Sequence, residues 1–189
     1  MLYHLAPNGR IGLVLANGAL FNKAGGEGEI RRNIIQDDKV EGIIALPTQL
    51  FYSVQIPVTL WFFNKNKKNK GKVLFIDARK MGHMVDRTHR DFSEKDIDLL
   101  VKTFEQYENN TLNDVRGFCC IKSLDEIDKE DNILTPALYV GTEEKQNDGI
   151  SYEEKMTNLI SEMGALMSES EELNKKIRKI LKDFGYDLK

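Results

Sequence analysis

Residues 42–65 read GIIALPTQLFYSVQIPVTLWFFNK, and the rest of the chain is best understood outward from them. An apolar run closes at Leu46-Pro47, a short polar loop carries Phe51 and Tyr52, and a second apolar run extends from Ile56 to Phe63. Short apolar runs bounded by Pro and polar residues are the pattern of buried strands. Two such strands flanking an aromatic-bearing loop make a place where a flat ligand can stack. The plain alternative is that Phe51 and Tyr52 cap the sheet edge.

On the N-terminal side, Arg10 to Leu15 (RIGLVL) lies between Asn8-Gly9 and Asn17-Gly18 and reads as another buried strand. Glu27 to Asp38 carries Ile30, Ile34 and Ile35 on one helical face, with Arg31 and Arg32 beside it. Val40 to Leu46 is the next strand, Ile56 to Phe63 follows, and Lys72 to Ile76 adds one more. Strand, helix, strand predicts a crossover unit in a parallel α/β sheet, with the following antiparallel hairpin ending that sheet. Further on, Ser93-Glu94-Lys95-Asp96 opens a helix through Leu99, Leu100 and Phe104 with a capping-box pattern. Residues 116–140 predict a strand, an acidic solvated turn (Asp125 to Asp131) and an extended tail.

The hydrophilic stretch 141–150, beginning GTEEKQNDG, is a natural linker. Beyond it, residues 151–185 hold the most regular pattern in the sequence. Ser151 and Glu154 open a helix, and Gly185 closes it. Met156, Leu159, Met163, Leu166, Leu173, Ile177, Ile180 and Phe184 recur at alternating spacings of three and four, interrupted only by Ser170. That stripe predicts a coiled-coil-like docking helix about 50 Å long, either folded back on its own domain or seated on another subunit.

Composition narrows the function classes. A formal charge of −3 over 189 residues gives no overall pull toward nucleic acid, so any DNA contact needs a local patch. No apolar run approaches the roughly 20 residues of a membrane span, which points to a cytoplasmic chain. Cys119 and Cys120 are adjacent and build no disulfide framework. His83, Asp86 and His89 match no structural zinc spacing, and the acidic cluster 125–131 lacks a calcium loop's spacing, so no metal is expected.

Two basic clusters remain as candidate DNA or subunit contacts. Lys65, Lys67, Lys68, Lys70 and Lys72 fall on one turn between strands, where lysines also serve simply to protect a sheet edge. Arg79, Lys80, Arg87 and Arg90 lie in a Gly-containing loop suited to gripping phosphates or another chain.

Taken in order, Pro7-Asn8-Gly9-Arg10, Glu29-x-Arg31, Leu46-Pro47-x-x-Leu50-Phe51, Ile56-Pro57, Phe75-Ile76-Asp77-Ala78-Arg79 and the stretch from Asn132 through Pro136 to Tyr139-Val140 closely resemble the modification subunit of type I restriction-modification systems, a group of N6-adenine DNA methyltransferases. The resemblance runs from about Tyr3 to Val140. It implies the C-terminal part of a Rossmann-like, seven-stranded methyltransferase sheet whose final strand inserts antiparallel to its neighbours. Residues 1–140 would then be the C-terminal half of the catalytic domain. The resemblance also places Phe51 against the flipped adenine, on the face opposite the catalytic loop.

That catalytic loop is absent. Enzymes of this kind need Asn/Asp-Pro-Pro-Tyr/Phe, whose polar groups accept hydrogen bonds from the adenine amino group and whose ring stacks on the flipped base. The prolines here are Pro7, Pro47, Pro57 and Pro136, and no two are adjacent. The Gly-rich cofactor turn is missing too: Gly26-Glu27-Gly28 is followed by Arg31 where a third glycine is needed. The expectation is therefore a piece of a methyltransferase that, when complete, uses S-adenosylmethionine. Alone it should bind no cofactor, hold no catalytic residue and be inactive. Met1 would mark either a truncation or the start of a separate chain. The implied partners are DNA, a specificity subunit met by Leu159, Met163, Leu166, Leu173, Ile177 and Ile180, and through it a restriction subunit. The alternatives are a stand-alone DNA- or protein-binding assembly module and half of a split methyltransferase.

Overall fold

The computed structural model of the protein describes residues 1–51, 55–142 and 152–184. Tyr52, the linker from residue 143, the Ser151 cap and Gly185 lie outside the described residues. The chain forms two compact units, Met1–Glu144 and Lys145–Lys189.

In chain order the first unit contains β1 (Arg10–Ala16), α1 (Glu27–Gln36), β2 (Val40–Ala45), β3 (Val58–Asn64), β4 (Lys72–Asp77), the short strands β5 (His83–Met84) and β6 (Arg90–Asp91), α2 (Glu94–Glu108), β7 (Cys119–Ser123), α3 (Leu124–Lys129) and α4 (Pro136–Val140). Five strands make one mixed sheet in the order β1-β3-β2-β4-β7. β3 pairs antiparallel with both β1 and β2, β2 runs parallel to β4, and β7 is antiparallel to β4. The α/β class and the antiparallel inserted strand agree with the sequence reading. The hairpin does not end the sheet, however: β3 inserts between β1 and β2, and β4 and β7 extend it on the other side.

Position in the sheet explains each strand's composition. β2 is central and buried along its whole length. Its Ile43 faces one core with Val73 and Phe75, and Ile44 faces the other with Leu74 and Ile76. Strands buried on both faces read as continuous apolar runs, and each such side chain contributes about 1.5–3 kcal/mol by burial. β1 is an edge strand, and only Ile11, Leu13 and Leu15 turn inward. The first core is closed by Ile35 of α1, Ile127 of α3 and Val140 of α4, the second by Leu100, Phe104 and Tyr107 of α2. Gly42 lets the sheet and α2 pack closely, because a Cβ would stand 3.2 Å from the Phe104 ring and 3.4 Å from the Leu74 carbonyl oxygen and the ring would have to give.

Three local readings need correction. The acidic segment is helical, since Ser123 and Glu126 form a reciprocal capping box that starts α3. The tail is also helical, with Pro136 in the first turn of α4. In α1 the inward position expected for Ile30 goes to Arg31: Ile30 is 60% exposed and Arg31 only 4%. The Arg31 guanidinium donates to the Asn132 carbonyl at 2.8 Å, the Asn22 carbonyl at 2.8 Å and the Ala19 carbonyl at 3.3 Å. Burial lowers its pKa, partly offset by Asp131 and Glu27. The capping box expected for α2 is present, with Ser93 and Asp96 exchanging hydrogen bonds.

The second unit is one helix, α5 (Tyr152–Asp183), of 32 residues, about 48 Å at 1.5 Å per residue. No helix among the described residues is long and apolar enough to cross a membrane.

Candidate nucleic-acid interface

Phe51 follows the loop leaving the carboxyl end of β2. Leu50 turns into the core while Phe51 remains 41% exposed. Gln49 sets this geometry. Its φ of 65° is in the left-handed region, uncommon for a residue with a side chain, and it turns the chain toward the β5–β6 hairpin. The Gln49 carbonyl accepts from the Arg90 amide at 2.9 Å, and its side-chain amide donates to the Arg87 carbonyl at 3.5 Å. The aromatic loop and the arginine hairpin are thus physically joined.

The hairpin is built to hold its shape. Asp86 accepts from the Thr88 amide at 2.7 Å and the His89 amide at 2.8 Å, and these bonds keep its carboxyl below the ordinary aspartate range. At its base Gly82 has φ of 77°, and a Cβ there would lie 2.7 Å from the Asp91 carbonyl oxygen. The Arg90 guanidinium turns back to donate to the Met81 and Gly82 carbonyls, both at 3.1 Å, so it braces the hairpin. Arg87 is exposed at the tip.

Arg79 lies at this same end, just after β4, where the Ala78 amide donates to the Ala45 carbonyl at 2.9 Å. Its guanidinium grips Asp77 with two bonds, of 2.8 and 2.7 Å. Burial pushes Asp77 upward, but those bonds outweigh it and hold the carboxyl below its usual value. The same bonds raise Arg79.

The lysine turn is elsewhere. β3 runs against β2, so the turn after β3 sits at the opposite end of the sheet from Phe51, roughly 20 Å away at about 3.3 Å per strand residue. Its members also have partners. Lys67 is 3% exposed, donates to the Val40 carbonyl at 2.9 Å and the Lys72 carbonyl at 2.8 Å, and pairs with Asp38. Lys65 donates to the Leu5 carbonyl, and Lys68 stands 3.7 Å from Glu108. Lys67 is therefore removed from the candidate contacts, and Lys65 and Lys68 form no common surface with Phe51.

Neither Gln49 nor Asp77 stood out in the sequence. A polar residue two positions before Phe51 in a Pro-initiated loop was the available signal for Gln49. The apolar stripe of α5 is exposed along its length, from 39% at Met156 to 75% at Phe184.

The glycines at the start of α1 do not fit a cofactor turn. Gly25 and Gly26 adopt left-handed angles of 62° and 82° to enter the helix, and the third-glycine position is filled by Arg31, whose head is spent on three carbonyl oxygens. At the start of α1 the residues present do not fit the Gly-rich turn of an S-adenosylmethionine site.

The mixed sheet with its inserted antiparallel strand is shared with a solved DNA methyltransferase subunit. The crystal structure of a type I restriction-modification system methyltransferase subunit from Streptococcus thermophilus superposes on 75% of this chain and 29% of its own, with a TM-score of 0.67 at 29% identity. The chain belongs to the N-6 DNA Methylase family, which it matches over residues 1–148. Its relatives include the type I restriction enzyme HindI methylase subunit of Haemophilus influenzae, 46% identical over 188 residues, and the MjaIX methylase subunit of Methanocaldococcus jannaschii, 42% identical over 192. These alignments cover 99% and 98% of this chain but 42% and 34% of the relatives, so the chain spans less than half their length.

Proposed function

We propose that this chain supplies the target-base side of a type I modification methyltransferase, which when complete transfers a methyl group from S-adenosylmethionine to adenine N6 in DNA. The observation that carries the reading is the Gln49 tie between the Phe51 loop and the arginine hairpin. It lies at the carboxyl end of the parallel strands β2 and β4, where open α/β sheets bind ligands. Phe51 would stack on the extrahelical adenine, and Arg87 would meet a nearby phosphate. Arg79, whose charge Asp77 neutralises, would reach DNA or a neighbouring chain only through its remaining N–H donors. The cofactor site and the Pro-Pro loop belong to the rest of such an enzyme, completing the seven-stranded sheet.

The β1 edge supports this reading, and equally that of one half of a split enzyme. Among the described residues β1 has a single strand neighbour in the sheet, and beside it opens an apolar hollow of about 510 Å³ lined by Leu13, Leu15, Ile30, Ile34, Trp61 and Phe63. Sheet edges of this kind are normally paired or covered. α5, through Leu159, Met163, Leu166, Leu173, Ile177 and Ile180, would seat on helices of the specificity subunit, which in turn recruits the restriction subunit.

The test is a calorimetric titration of the 189-residue chain with S-adenosylmethionine, alongside a methylation assay on DNA. Neither binding nor transfer is expected. A stoichiometric micromolar complex would overturn the assignment of the cofactor site to the rest of the enzyme.

A further inference from the structure

The charges of α5 are sorted along its length. Between Glu153 and Glu172 six glutamates stand with one lysine, and between Lys175 and Lys182 there are five cations and no acid. The apolar stripe has its own symmetry, about residue 168. Reversing the helix on itself around that point sets Tyr152 opposite Phe184, Met156 opposite Ile180, Leu159 opposite Ile177, Met163 opposite Leu173 and Leu166 opposite Ser170. Every layer from end to end of the helix is filled, and only the central one contains a polar residue.

We propose that α5 pairs antiparallel with α5 of a second copy of this chain, centred on residue 168. In this arrangement the cationic segment 175–182 of each helix lies along residues 154–161 of the other, beside Glu153, Glu154 and Glu162. Glu162 and Lys176, each flanking the apolar seam, meet across the pair, and symmetry makes that contact twice. A parallel pair would align acid with acid and base with base, and would set Glu162 and Lys176 against Met167 and Leu181 of the other helix, which carry no charge. Glu169 meets its own copy once at the two-fold, against the two Glu162–Lys176 attractions, so the antiparallel arrangement fills the stripe and keeps a net attraction along this flank. Ile160 and Met167, at 57% and 60% exposed, add an apolar flank on the other side of the seam. The pair uses the stripe that a specificity subunit would take, so it describes the chain without that subunit, and it does not depend on the reading of the Phe51 end of the sheet.

Sedimentation equilibrium of the full 189-residue chain across the micromolar range tests it, with circular dichroism to confirm that the helix persists. The wild-type chain is expected to be a dimer. Glu162→Lys alone and Lys176→Glu alone should each raise the dimer dissociation constant about tenfold or more, by replacing two attractions with two repulsions. The double variant should return to within about threefold of wild type. A monomer throughout the range, whether α5 is folded back or solvated, would overturn the proposal. A dimer indifferent to both single reversals, as a parallel pair or a different interface would be, would also overturn it. So would a double variant no tighter than the singles.

Discussion

The Lys67 ammonium lies 2.9 Å from the Val40 carbonyl oxygen inside the first unit. Its other bonds, to the Lys72 carbonyl and the Asp38 carboxylate, make it a stitch holding the starts of β2 and β4 together. Burial lowers its pKa, and the Asp38 contact opposes that shift. The charge is kept because three acceptors replace the water it has lost.

Lys67→Ala should destabilise the first unit by about 2–4 kcal/mol, since removing one partner of a buried ion pair strands the other and Asp38 retains some solvent. Lys68→Ala, one residue on and exposed, should stay within about 0.5 kcal/mol of wild type. Urea unfolding followed by Trp61 fluorescence reads both. Equal losses would show that Lys67 is not the stitch described.

The α3 capping box makes a pH prediction. The Ser123 amide and the Lys122 ammonium hold Glu126 at a pKa of about 2, against an ordinary value of 4.5. A carboxylate depressed on folding contributes stability that is fully present above 4.5 and is lost as pH falls toward 2. Glu126→Gln should therefore be less stable than wild type at pH 6, with the difference shrinking between pH 4.5 and 2. Thermal melts over that range check it, and a constant difference would refute the linkage.

At the other end of the sheet, Phe51→Ala in a complete enzyme should weaken the hold on an extrahelical adenine by about 1–3 kcal/mol, with S-adenosylmethionine affinity little changed. Binding of DNA carrying 2-aminopurine at the target position gives the readout. Parental binding and parental methylation would make Phe51 a structural cap.

Leu166→Asp with Leu173→Asp puts two charges into the α5 stripe. The variant should fail to co-purify with a specificity subunit while the first unit keeps its wild-type melting temperature. Retained co-purification would end the docking role, and a lower melting temperature would make the helix part of the first unit's core.

Strands announced themselves in the sequence because β2, β3 and β4 are buried and correspondingly apolar. The place of β3 between β1 and β2 was not legible from the strand–helix–strand order, since pairing is decided by contacts distant in the chain. The α3 and α4 helices carried signals that were legible but outweighed: Ser123-x-x-Glu126 has the same form as the box that starts α2, yet it heads only six residues. Lys67 resembles its neighbours in composition, and only its carbonyl partners distinguish it. The separation of the lysine turn from Phe51 follows from strand direction, since a turn reached by one strand reversal returns to the end the chain started from. Phe51 was found from its place after Leu46-Pro47, whereas Gln49 acts through backbone conformation and a main-chain bond, which residue type alone does not reveal.

Arg31 bears on how this protein is made. Its guanidinium serves Ala19, Asn22 and Asn132, the last 101 residues further along the chain. At about 5–20 residues per second, the ribosome delivers Asn132 roughly 5–20 s after Arg31. Through that interval α1 can coil but cannot close over its cation with all its acceptors in place. The Leu134 amide, which donates to the Leu20 carbonyl at 3.0 Å, arrives at the same late moment. β1 and α1 are thus synthesised well before the residues that lock them, so a nascent chain stalled before Asn132 exposes them to chaperones and proteases.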